Sequence, residues 1–139
     1  MSYYIQADGR RFFAGMIAGS GLKLNTMYVE YGPDAAERPG KRDAEYYAAL
    51  CASKNSGMIV VPVAHSYVDE LCVVHFTGMV RLEDTGLQST GNVRLGCVTL
   101  AHRGEQDALV CTFKLPDGIE LVPGAYTTVR CSIDMGLGK

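Results

Sequence analysis

At 139 residues the chain fits one domain, long enough to bury a sizeable core. Apolar residues make up 47% and charged residues 20%, the net charge is −2 and there is no basic block, so a nucleic-acid partner, which needs clustered Lys and Arg, is not expected. No apolar run reaches the roughly 18 residues of a membrane span, so no membrane partner is expected either. The N-terminus lacks the charged-then-apolar pattern of a secretory signal peptide. Five cysteines with no CxxC pair point to a reducing compartment and no disulfide framework.

Residues 2–6 can form a short edge strand or an ordered arm, since Tyr3, Tyr4 and Ile5 favour β structure. A helix follows. Asp8 is its cap candidate, Phe12, Phe13, Met16 and Ile17 give it one apolar face, and Gly19 and Gly21 end it. This helix is expected to cover one face of the strands that follow. Residues 22–31 alternate as a strand and stop at Gly32 and Pro33. Residues 33–41 read as a turn-rich connector. Its basic stretch, residues 38–42, reads as a solvated loop neutralised by Asp34, Glu37 and Asp43. A second helix spans residues 43–52, capped by Asp43, with Tyr46, Tyr47, Leu50 and Cys51 on one face; Asn55, Ser56 and Gly57 break it.

From residue 57 the pattern is β. Residues 58–64 are apolar, and Pro62 marks an edge, a bulge or a strand end. Residues 66–70 read as a tight connection. Residues 71–80 make a long strand with Cys72, Val74, Phe76, Gly78 and Val80 on one face and Val73, His75, Thr77 and Met79 on the other. Residues 81–91 are a polar loop, residues 93–102 a central strand apolar on both faces, and residues 102–107 a hairpin turn. Residues 108–115 return with Leu109, Cys111, Phe113 and Leu115 on one face. Pro116, Asp117 and Gly118 signal a turn. Residues 119–122 are a short extended piece ended by Pro123 and Gly124. The last strand, residues 126–135, turns Val129, Cys131, Ile133 and Met135 inward and Thr128, Arg130, Ser132 and Asp134 outward; residues 136–139 form a frayed tail. The predicted fold is α+β: one or two short N-terminal helices packed on a mainly antiparallel β-sandwich of about six strands. It is one domain, 1–139, made of a helix–strand unit (8–32), a connector with a short helix (33–56) and a β-domain (57–135).

The chemistry-bearing residues point to packing more than to catalysis. Cys72, Cys111 and Cys131 fall on apolar strand faces, Cys97 lies in a strand apolar on both sides, and Cys51 ends a helix as the exposed thiol. Cys72 and His75 have metal-like spacing, but residues three apart on a strand point to opposite faces, and no second pair completes a zinc site. His65 and His102 read as polar strand ends; convergence of His65, His75 and His102 is left open. Residues 35–42 hold the central Gly-Lys of a phosphate loop without its first glycine or its terminal Ser or Thr. Ala18-Gly19-Ser20-Gly21 follows a helix, not the strand a nucleophile elbow needs. Glu83 and Asp84 read as solvated carboxylates, and the eight tyrosines as half-buried strand positions, a ligand groove or an oligomer interface. No catalytic, cofactor-binding or metal-ligating residue is assigned, and no cofactor is expected.

The order of features resembles the N-terminal domains of bacteriophage tail-fibre and tail-collar proteins and related prophage tail or baseplate components. The resemblance is carried by Gly15, Ala18-Gly19 and GLKLN at residues 21–25, then MYVEYG at 27–32. IVVPVAHSYVDELCVVHFTGMV at 59–80 and LPDGIELVPGAYTTVRCSIDM at 115–135 continue it. The family's Gly-Asp-Gly turn is Gly32-Pro33-Asp34 here, its Gly-Leu-Tyr strand is Val98-Thr99-Leu100, and a fibre would continue into a shaft beyond Lys139. A small self-standing tail or baseplate subunit, or an adaptor, therefore fits better than a fibre. The resemblance implies a structural protein of the virion, found in the bacterial cytoplasm before assembly, acting as a homo-oligomer or with other tail proteins. The alternative is a small ligand- or glycan-binding β-sandwich module using loops 81–92 and 102–107. A small cytosolic enzyme would need histidines and cysteines converging in a cleft.

Overall fold

Met27, Val29 and Tyr31 alternate with Tyr28 and Glu30, so strand β2 (Thr26–Tyr31) offers one face to an apolar core and turns a carboxylate to the other. Both faces are covered, and the two covers organise the molecule. The computed structural model describes residues 3–19, 21–35, 40–87, 93–115 and 119–134. Besides β2, the described elements are β1 (Tyr3–Ile5), α1 (Ala7–Ile17), α2 (Ala44–Ala52), β3 (Gly57–Pro62), β4 (His65–Val68) and β5 (Val73–Arg81). They continue with β6 (Val93–His102), β7 (Ala108–Lys114), β8 (Glu120–Leu121) and β9 (Tyr126–Asp134).

The strands form two antiparallel sheets. The larger runs β1-β7-β6-β2-β3, with β8 also paired to β6; the smaller runs β4-β5-β9. Val98, Leu100, Cys111 and Phe113 of the larger sheet meet Phe76, Val80, Val129 and Cys131 of the smaller in one core. The fold is thus an α+β sandwich. The central position of β6 agrees with its double-faced apolar pattern: β7 and β2 flank it, and residues 97–101 are all buried.

Several expectations need correction. Helix α1 starts at Ala7 with Gln6 in the capping position, and Asp8 sits inside the first turn without capping it. Phe12 is buried, but Met16 is exposed and Ile17 is 90% exposed. Helix α1 packs against β7; a Cβ at Gly9 would lie 2.2 Å from the Val110 carbonyl oxygen, so only glycine permits this approach. The outer face of the larger sheet is instead covered by α2, capped by Asp43 through the Tyr46 amide, and by residues 40–43. Pairing of the first long strand starts at Thr26, not residue 22.

Of residues 66–70, assigned to a connection, 66–68 join His65 in the edge strand β4; the turn is residues 69–72. Cys72 is in that turn with φ 61°, exposed, and not on the apolar face. The loop after β5 contains a 3-10 turn, Leu82–Thr85, with Leu82 buried. Leu109 is only half-buried, because a register shift at Leu100 and Ala101 disturbs the alternation of β7. Arg42, read as part of a solvated loop, is buried. Ser20, Arg38, residues 88–92, the turn at 116–118, Met135 and the tail at 136–139 lie outside the described residues.

Candidate functional site

Two side-chain constellations stand out, one on the outer face of each sheet. Beneath α2, Glu30 projects from β2 away from the apolar core and is fully buried. A buried carboxylate is costly unless paired. Arg42 pairs it through two hydrogen bonds, Nε to Oε2 at 2.8 Å and Nη2 to Oε1 at 3.3 Å. The Tyr46 hydroxyl donates a further short bond to Oε1, and the Arg42 guanidinium lies 4.2 Å from the Tyr46 ring centroid. Burial opposes the Arg42 charge, but the hydrogen bond and charge of Glu30 outweigh it and raise its pKa.

Gln6 extends the network. Its Nε2 donates to the Gly40 carbonyl at 2.6 Å and to Thr112 Oγ1 at 2.9 Å, while its Oε1 accepts from the Arg42 amide. The Thr99 hydroxyl lies 2.8 Å from that of Thr112 and accepts from Tyr47 at 3.0 Å. Burial raises the Tyr47 pKa, so Tyr47 remains the proton donor. Every buried side-chain polar atom among the described residues has a partner. This satisfied network straps residues 40–43 to the sheet, a structural role. Beside it opens a cleft of about 690 Å³ lined by Tyr4, Tyr28, Tyr47, Lys41 and Asp107, among others.

The second constellation lies on the outer face of the smaller sheet. The β5–β9 register sets His75 opposite Ser132, and the β4–β5 register sets Tyr67 opposite His75 on the other side. His75 Nδ1 is 2.7 Å from Ser132 Oγ, and Nε2 is 2.8 Å from Asp69 Oδ2. Asp69 is fixed in turn, its Oδ1 accepting from the amides of Leu71 and Val73. The His75 hydrogen bond, followed by the Val73 amide bond, holds the Asp69 carboxyl below its ordinary pKa, hence ionised. An ionised Asp69 makes Nε2–H the donor; in the neutral imidazole Nδ1 is then the acceptor for the Ser132 hydroxyl. The Tyr67 ring stacks on His75 at 4.8 Å, and His65 stacks on Tyr67 at 5.5 Å.

His65 and His75 thus share one aromatic stack, whereas His102 sits elsewhere, bonded to the Lys23 carbonyl and 5.9 Å from the Phe12 ring. Cys97, Cys111 and Cys131 are buried, as expected. Burial pushes the Cys97 thiol up to about 11 and the Cys111 thiol up to about 12, away from the thiolate a nucleophile needs. Cys51 is exposed, as expected. Glu83 and Asp84 are exposed but bonded, Glu83 to the Gly124 amide and Asp84 to Arg81. Among the described residues no group of three His, Cys, Asp or Glu could hold a metal ion, and no helix is long and apolar enough to cross a membrane.

Sequence reasoning missed Asp69 and Ser132 as partners of His75. Alternation had placed His75 on the face of its strand opposite Phe76, and Ser132 on the outward face of its own; the absent signal was that β5 and β9 are neighbours. The fold and site therefore define an antiparallel two-sheet sandwich with a buried polar strap on one outer face and a Ser–His–Asp chain on the other. The chain matches no family model, no curated protein and no solved structure.

Proposed function

We propose that the chain is a structural subunit of a phage or prophage tail, working by self-assembly or by attachment to a neighbouring tail protein. The observation that supports this is the state of the smaller sheet's two ends. Strands β4 and β9 each pair on one side only among the described residues, and β9 keeps an unbroken register for nine residues. Strand β4 carries no proline and no charged residue, the usual protection of an open edge, and β9 carries only Arg130 and Asp134. At the β4 end, Val68 is 64% exposed and Leu71 is 73% exposed. A second copy of this chain is the partner such edges fit, and closed symmetric oligomers are the usual outcome.

Light scattering after gel filtration, across a concentration series, is expected to give a stable trimer or hexamer. Val68→Lys with Leu71→Lys is expected to lower that mass. A monomer at every concentration, with no co-purifying product of a neighbouring gene, overturns this reading.

A second reading, a small ligand- or glycan-binding module, is favoured by one observation. The turn at residues 103–107 borders two clefts, of about 500 Å³ and 690 Å³, with Asp8, Asp107 and Ala108 lining both. Its test is a glycan-array screen repeated with Asp107→Ala and Tyr28→Ala. Hits lost on these substitutions are the expected result; an empty array removes the reading.

A further inference from the structure

We propose that Ser132 is an activated nucleophile, with His75 as its general base and Asp69 as the positioning residue, capable of hydrolysing small activated esters. The geometry meets the requirements of such a site in turn. Nucleophile and base are within hydrogen-bond reach at 2.7 Å, and the base is oriented by a third group at 2.8 Å. The orienting carboxylate is itself held by two backbone amides, and the imidazole is braced by the Tyr67 ring. With the neutral imidazole protonated on Nε2, the proton order along the chain is the productive one: Ser132 donates to Nδ1 and Nε2–H donates to Asp69. Arg130 precedes Ser132 by two residues on the same outward face, roughly 7 Å away along the strand. It is exposed and has no partner among the described residues. Its guanidinium can stabilise the oxyanion that forms when Ser132 attacks.

The step balances with water as co-reactant. Ser132 Oγ bonds to the ester carbonyl carbon as its proton passes to His75 Nδ1. The acyl C–O bond then breaks, and the proton leaves with the departing alcohol. Water repeats the route, losing a proton to His75 as it attacks the acyl-Ser132 carbonyl, and the acid departs as Ser132 regains its hydrogen. The site lies on an open sheet face with Ser132 half-buried, so the substrate class is a small, reactive ester reached directly from solvent. This activity stands independently of the assembly reading.

The test is labelling of the folded chain by a fluorophosphonate, in which Oγ attacks phosphorus, fluoride leaves and the hydroxyl proton goes to His75. Intact mass is expected to show one adduct, and peptide mapping to place it on Ser132. Ser132→Ala is expected to abolish the adduct, His75→Gln to slow labelling about 100-fold, and Ser66→Ala to leave it unchanged. Asp69→Asn is expected to slow labelling at least about 10-fold and to move its pH profile, which a purely structural bond would not do. Mapping on the unmodified chain keeps the test decisive even where a variant fails to fold. No adduct, or an adduct on another residue, overturns the proposal and leaves the Asp69–His75–Ser132 chain as a latch between the hairpin and β9.

Discussion

Arg42→Ala is expected to destabilise the chain by about 3–5 kcal/mol, because it leaves the Glu30 carboxylate buried with its cationic partner gone. The loss is large against the roughly 5–15 kcal/mol that holds a domain of this kind together. It follows from burial, not from the ion pair as such: the Arg42 side chain is 2% exposed and that of Glu30 0%. An exposed pair of the same geometry would contribute about 0–1 kcal/mol. Two further variants separate the causes. Arg42→Lys retains a charge but loses the two-pronged contact, and is expected to fall between the parent and Arg42→Ala. Glu30→Met combined with Arg42→Met removes both charges and is expected to recover most of the loss. Urea unfolding measures all three, and a loss below about 1 kcal/mol for Arg42→Ala would show that water reaches Glu30.

Phe113→Ala is the second large effect, also about 3–5 kcal/mol, from the transfer of a whole aromatic ring and the void it leaves. Phe113 is fully buried and faces the smaller sheet. It stands opposite Val98 on β6 and Tyr3 on β1, whose ring centroid is 5.4 Å from its own. The damage is therefore expected to spread to β1. Amide exchange at Tyr4 and Gln6, whose amides face β7, should accelerate in Phe113→Ala, while Phe113→Leu should cost under about 1.5 kcal/mol. Unchanged exchange at Tyr4 and Gln6 would mean that β1 is held by its backbone ladder alone.

These two residues mark what was legible in the chain and what was not. Phe113 could be placed in the core from alternation alone, as could Val129, Cys131 and Ile133, because a strand's period of two needs no knowledge of its neighbours. Arg42 could not. Its charge and the flanking Pro39 and Gly40 read as a solvated loop, and nothing local to residue 42 names its partner twelve residues back on β2. Glu30 carried half of the signal, as a carboxylate in a strand buried on both faces, but the cover on its side came from a separate helix. The same limit hid the His75 site. Each residue's face was readable, whereas the pairing of β5 with β9 is a fact of tertiary register. Cys72 failed for another reason: its left-handed turn conformation ends the alternation one residue before β5 begins.

The pairing of Tyr3 with Phe113, and of β2 with β6, bears on how the chain reaches this fold. Most of the larger sheet joins segments far apart in the chain, so few contacts can form before long loops close. Such topologies fold in milliseconds to seconds, not microseconds. During synthesis β1 leaves the ribosome long before β7 exists, and β2 has β3 but not β6. At about 5–20 residues per second, Tyr3 waits several seconds for Phe113. Until β5 and β6 follow, the apolar face of Met27, Val29 and Tyr31 has only local partners, which makes the nascent first quarter of the chain the segment most in need of a chaperone.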